Sequence, residues 1–176
     1  MYPVVRHLFN SAKATRAPRL GLGEVHTSDH ICWPWDLDPW MELNNGRTLT
    51  LYDLGRIPLA IRMGLITSLK ENKWAVAVAG VSVRYRRRVR AFHRFQMKSS
   101  VLGWDNRFVY IQQTMWRKGE ALSSSLCRWA FTDENGILSP LIVARSVGWP
   151  EQSPDLPEYV LAWIEAESQR PWPPKI

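Results

Sequence analysis

Residues 35–46 read Trp-Asp-Leu-Asp-Pro-Trp-Met-Glu-Leu-Asn-Asn-Gly. Asp36 and Asp38 stand one residue apart at the end of what reads as a strand. Glu42 follows, and then Asn44, Asn45 and Gly46 open a long apolar segment. Asn begins helices well, because its side-chain oxygen takes up a first-turn N–H group. Acids just ahead of such a start lie beside N–H groups without partners and the positive end of a helix. A carboxylate and free N–H groups in one place can activate a water and hold an oxyanion. A solvated, well-capped turn would use the same residues, so the flanking sequence has to discriminate.

Upstream, Glu24–Trp35 alternates His26, Ser28 and His30 with Val25, Thr27 and Ile31, which predicts a first strand with the histidines on its surface. Downstream, Thr48–Arg56 predicts a helix capped by Asn44 or Asn45. Its Leu49, Leu51, Tyr52 and Leu54 are spread around more than one face, so the helix is expected to be largely buried. Gly55 and Pro58 are expected to break or kink it, with a further turn to about Gly64. From Trp74 the pattern changes to period two, with Ala75, Ala77, Ala79, Val81, Val83 and Tyr85 on one face of a long strand. Phe92–Leu102 reads as a third strand, and Phe108–Trp116 and Ala121–Thr132 as a hairpin across residues 117–120. Pro140–Val147 suits a short helix. Asp155–Glu158 reads as a capping box opening a last helix to about Ser168.

Strand, buried helix, four antiparallel strands and a helical tail define an α+β chain. The economical arrangement is a curved antiparallel sheet wrapped around the central helix, with an additional C-terminal helix. The expected organisation is a basic arm over 1–23, one domain over 24–150, and a helix with a Pro-rich tail over 151–176.

Composition narrows the function classes. Lysine and arginine exceed the acids by 23 − 16, a net charge of +7, and the excess is local. Residues 1–23 carry Arg6, Lys13, Arg16 and Arg19 without an acid, and residues 84–98 carry six arginines and Lys98 without one. Partners bearing phosphate or anionic headgroups fit such patches. Nucleic acid is not expected, since the aromatics beside the arginines are too few for a stacking platform. The arm could form a basic amphipathic helix with Val4, Val5, Leu8 and Phe9 opposite the cations; this suits peripheral membrane contact through residues 1–20, or an arm packed on the domain. Two cysteines, Cys32 and Cys127, have neither metal spacing nor a disulfide framework, so a cytoplasmic location is expected. No signal peptide is evident, and no apolar run is long enough to span a bilayer. The ten tryptophans are expected to fill a core or line a wide apolar pocket.

The pattern Asp36-Leu-Asp38, five residues, Asn44-Asn45, then a helix with Tyr52, and later Val83-x-Tyr85 leading into basic residues, resembles the hotdog-fold thioesterases. The likeness is to the 4-hydroxybenzoyl-CoA thioesterase-like group and the plant acyl-ACP thioesterases, over roughly residues 24–147. It implies an acyl-CoA or acyl-ACP thioester hydrolase with Asp38 as nucleophile or general base. Backbone N–H groups near Asn45 and Gly46 would polarise the carbonyl. A thioester is a reactive acyl donor, so one carboxylate with an oxyanion site can suffice. The resemblance also implies a homodimer or homotetramer with the site at a subunit interface. It implies no cofactor beyond the coenzyme A carried by the substrate.

The chain departs from the pattern where relatives carry His, at Glu42, and where the plant enzymes carry a catalytic Asn, at Trp40. Glu42 is then either a second acid/base group or a helix cap, and a non-catalytic acyl-CoA- or acyl-carrier-binding hotdog protein is the alternative. Asp36 is expected to orient or cap. The catalytic set is Asp38, Asn45 and Glu42; the substrate-binding set is Asn44, Gly46, Tyr85, Arg86, Arg87 and Arg88. Along Arg84–Arg90, strand geometry would send Arg84, Arg86, Arg88 and Arg90 one way and Arg87 the other. Arginine forks match the phosphates of coenzyme A. No metal site is expected: His26 and His30 lack further ligands, and Cys127 suits core packing.

Overall fold

The computed structural model describes residues 2–174; Met1 of the arm and Lys175 and Ile176 of the tail lie outside the described residues. Helix α1 (Val4–Thr15) precedes strand β1 (His26–Ile31), the long helix α2 (Asn45–Arg62) and α3 (Leu65–Asn72). Strands β2 (Ala75–Tyr85), β3 (Arg94–Trp104), β4 (Val109–Arg117), β5 (Glu120–Asp133) and the short β6 (Gly136–Ile137) follow. Helices α4 (Pro140–Val147) and α5 (Glu158–Ser168) complete the chain. The strand order is β1-β3-β4-β5-β2, antiparallel throughout, with β6 on the end of β5. The sheet curves around α2, as the sequence predicts.

Helix α2 is not broken at Gly55 or Pro58. At Gly55 a Cβ would lie 2.5 Å from Met97 Sδ and 2.8 Å from Ser99 Oγ, so the glycine lets the helix backbone seat directly on β3. Burial of nine α2 residues outweighs the lower helix propensity of Gly and Pro. The helix ends at Arg62, and Gly64 in the left-handed region turns the chain into α3.

Two apolar clusters flank α2. Around its second half, Leu59, Met63, Val101, Ile111 and Phe131 pack with Trp104, which stacks on Trp149 at 5.6 Å. Around its first half, Leu51, Tyr52, Leu54, Phe95, Met97 and Met115 close the core. The tryptophans therefore divide: Trp104, Trp129 and Trp149 are core, whereas Trp35 and Trp40 are exposed.

The expected surface position of the β1 histidines is corrected. His26, Ser28 and His30 face inward, towards α2, and are nearly fully buried. The outer face of the sheet carries α5, where the Arg128 guanidinium sits over the Phe108 and Trp163 rings and donates to Glu167 Oε2 at 3.0 Å. The capping box expected at Asp155–Glu158 does not form; Pro157 precedes the helix and its carbonyl accepts the Val160 and Leu161 N–H groups. Among the described residues no helix is long and apolar enough to cross a membrane.

Candidate active site

The loop between β1 and α2 is pinned from inside by Asp36, whose side chain is fully buried. Arg6 Nη2 donates to both of its carboxylate oxygens at 2.9 Å, Arg47 Nε donates to Oδ1 at 2.6 Å, and the Trp33 N–H donates to Oδ2 at 2.9 Å. The Asn44 N–H donates to the Asp36 carbonyl at 3.0 Å. Asp36 thus orients the loop, the role expected for it, and does not face the cavity described below.

Asp38 lies in the turn that Asp36 anchors. Its N–H donates to the Glu42 carbonyl at 2.8 Å, and Met41, with φ 59°, reverses the chain. Oδ1 of Asp38 accepts the Trp40 N–H at 2.9 Å and the Glu42 N–H at 3.4 Å. Among the described residues no hydrogen bond is directed to Oδ2. One oxygen therefore holds the carboxylate in place.

Asn44 is the N-cap of α2, its side chain accepting the Arg47 N–H at 3.0 Å. Asn45 and Gly46 are the first two helical residues, where backbone N–H groups lack an acceptor four residues back. Glu42 does not cap the helix; its carboxylate pairs with Arg88 Nε at 3.3 Å.

A cavity of about 480 Å³ gathers Asp38, Glu42, Asn45, Tyr85 and Arg86–Arg88, residues that are up to fifty positions apart in sequence. Asn44 and Gly46 do not line it. Asn44 instead borders a separate open groove with Trp33 and Trp35, because its side chain is turned to the helix backbone. Trp40, already marked as a departure from the plant pattern, also lines the cavity, as do Thr48 and Ser123, which were not among the expected site residues. Thr48 was findable, since it stands three residues after Asn45 on one helix face. Ser123 was not: only the fold brings β5 to this end, where Tyr52 Oη and Ser123 Oγ lie 2.8 Å apart.

The arginines differ from one another. Strand β2 stops at Tyr85, so the alternation expected through Arg90 does not apply, and the Arg86 and Arg87 N–H groups both reach the Leu122 carbonyl. Arg87 pairs with Glu120 and Arg88 with Glu42. Among the described residues the Arg86 side chain has no ion-pair partner, which leaves its fork free.

Burial decides the other titratable groups. His26 and His30 are pushed down to about 4, first by burial, with Arg62 adding to the effect at His26. Burial and the nearby Asp36 push the Cys32 thiol up to about 11, which makes it an unreactive core residue. Among the described residues no group of His, Cys, Asp and Glu could hold a metal ion.

Known proteins resemble this chain in sequence or in fold. The chain is 30% identical to Protein THEM6 of Xenopus laevis over 142 residues, 80% of this chain and 67% of that protein. The probable thioesterase YbaW from Escherichia coli superposes with a TM-score of 0.65 at 14% identity, over 69% of this chain and 96% of that one. A Staphylococcus aureus hypothetical protein in complex with CoA superposes with a TM-score of 0.63 at 8% identity, over 81% of this chain and 95% of that one. The fold is the hotdog fold found among thioesterases. Residues 32–164 match the profile of the thioesterase-like superfamily, and the chain belongs to that superfamily.

Proposed function

We propose that the protein hydrolyses acyl-CoA thioesters at the Asp38 cavity. The observation that carries this reading is the free Oδ2 of Asp38 beside the first turn of α2, in one cavity with Arg86. The thioester carbonyl oxygen accepts hydrogen bonds from N–H groups at the helix start, near Asn45 and Gly46. Asp38 attacks the carbonyl carbon or takes a proton from a water that does. The C–S bond breaks, the sulfur leaves as the protonated thiol, and the net addition of one water gives the carboxylic acid. Arg86 receives a phosphate of the coenzyme A, and Tyr85 and Trp40 border its path. The Staphylococcus aureus neighbour in complex with CoA supports this ligand class.

The proposed unit is a homodimer paired along β2. This edge strand is eleven residues long, and its Val76, Val78 and Val81 are exposed, with no element covering them among the described residues. Long apolar edges in water recruit another strand. Mass measurement by light scattering, with Val78→Lys expected to give the monomer, tests the pairing. Two free, buried cysteines support a reducing, cytoplasmic location.

A second reading, an acyl-CoA-binding protein without turnover, is favoured by Trp40 and Glu42, which stand where relatives carry Asn and His. An acyl-CoA panel separates the two. Hydrolysis is expected for some chain length, and Asp38→Asn should lower kcat about 100-fold or more while thermal unfolding is unchanged. Tight binding with no turnover on any chain would establish the second reading; equal rates for wild type and variant would remove Asp38 from the chemistry.

A further inference from the structure

Helix α1 lies on the domain with its faces reversed. Arg6, His7, Asn10 and Ser11 turn inward together with Ala14, and α1 packs against α2. Val4, Val5, Leu8 and Phe9 turn outward and are 53–81% exposed. A surface helix of a globular protein ordinarily does the opposite. The inversion is fixed rather than accidental: the Arg6 ion pair to the buried Asp36 sets the rotation of the helix, so its apolar stripe cannot roll inward. Among the described residues, His7 Nδ1 and Ser11 Oγ are buried there without a hydrogen-bond partner, a cost accepted on the inner side while the apolar side stays in water.

The apolar surface continues beyond the helix. Trp33 stacks on Trp35 at 5.2 Å and meets Phe92 edge-on at 6.1 Å, and both Trp35 and Phe92 are more than 60% exposed. Its border is cationic. One open groove sets Val5, Phe9 and Trp33 beside Arg94, Arg117 and Lys118, and Asp29 is the acid that lines it. Lys13 and Arg16 are exposed at the end of α1.

We propose that the outer face of α1, with Trp35 and Phe92, docks this protein on an anionic lipid surface. Exposed aliphatic and aromatic side chains enter the boundary between headgroups and acyl chains, and the lysines and arginines around them meet lipid phosphates. A helix of twelve residues is too short to span a bilayer and lies along it. Charge selects lipid over a second copy of the chain, because an isologous contact through this face would oppose Arg94, Arg117 and Lys118 to their own counterparts.

Vesicle flotation of the full chain tests this without any substrate, and so independently of the hydrolase reading. The protein should float with vesicles of phosphatidylcholine and phosphatidylglycerol and bind pure phosphatidylcholine about tenfold more weakly. Leu8→Gln with Phe9→Gln should weaken binding to the mixed vesicles by about tenfold or more. Arg94→Gln with Lys118→Gln should remove the preference for the anionic lipid. All four side chains are exposed, and circular dichroism should match wild type. The proposal is overturned if wild type floats with neither vesicle, or if the Leu8 and Phe9 variant binds as wild type does. It is also overturned if that variant splits an oligomer in light scattering, since a second copy would then occupy the face.

Discussion

Arg6 Nη2 donates to both carboxylate oxygens of Asp36 at 2.9 Å, joining positions thirty residues apart and fastening α1 to the loop that carries Asp38. The pair is shared with Arg47 Nε, so one buried carboxylate ties α1, the loop and the first turn of α2 together.

Replacing Asp36 by Ala leaves two guanidinium groups facing a dry site. Breaking a buried pair from one side costs several kcal/mol, and here roughly 3 kcal/mol is expected, read from urea unfolding at neutral pH. Asp36→Asn, which retains hydrogen-bond acceptance, should cost less. Acyl-CoA hydrolysis should fall in both, because the turn holding Asp38 loses its anchor. Wild-type stability in Asp36→Ala would show that the clamp contributes nothing.

Arg86 should act on binding rather than on the chemical step. Among the described residues its fork meets no carboxylate, whereas Arg87 and Arg88 are engaged by Glu120 and Glu42. Arg86→Ala is expected to raise KM for acyl-CoA about tenfold with kcat nearly unchanged, while the same change at Arg87 has a smaller effect. Steady-state kinetics distinguishes these, and a pure kcat effect at Arg86 would contradict the phosphate assignment.

Stability should fall on mild acidification. His26 and His30 titrate near 4 when folded and near 6.5 when unfolded, so between these values the unfolded chain binds more protons. The stabilisation they give is complete above about pH 6.5 and is lost as pH falls towards 4, by roughly 1–3 kcal/mol for each histidine. Urea midpoints at pH 7 and pH 5 measure the slope. His26→Gln with His30→Gln should flatten it; an unchanged slope would place the titration elsewhere.

Gly55→Ala tests the close seat of α2 on β3. In an exposed helix this change is favourable by about 1 kcal/mol. Here the new Cβ would meet Met97 Sδ at 2.5 Å and Ser99 Oγ at 2.8 Å, so overpacking of about 1–3 kcal/mol should prevail. Net destabilisation in thermal unfolding is the expected result.

The parts of the molecule legible from its sequence are those whose cause is local. The Asn44 cap, the start of α2 and the strands with period-two patterning depend on neighbours within a few residues, and each stands where the pattern places it to within a few positions. Gly55 and Pro58 misled because helix propensity is worth about 1–3 kcal/mol per residue, less than the burial this helix gains against β3. The burial of His26 and His30 was unreadable for a related reason: alternation says that two residues share a face, but not which face meets the core.

The amino-acid sequence by itself determined that Asp38, Glu42, Asn44 and Asn45 would share one loop and helix start, because a few bonds of backbone leave them nowhere else to go. Only the tertiary structure decided that Tyr85, Arg86 and Ser123 would close a cavity around Asp38, and that Arg87 and Arg88 would each be engaged by a carboxylate while Arg86, among the described residues, would not. It also decided that the apolar stripe of α1 faces outward, since that orientation follows from an ion pair between residues that the chain separates by thirty positions. Covalent proximity sets the first kind of arrangement. The second is set by which surfaces the packed sheet brings together, and those distances are written nowhere along the chain.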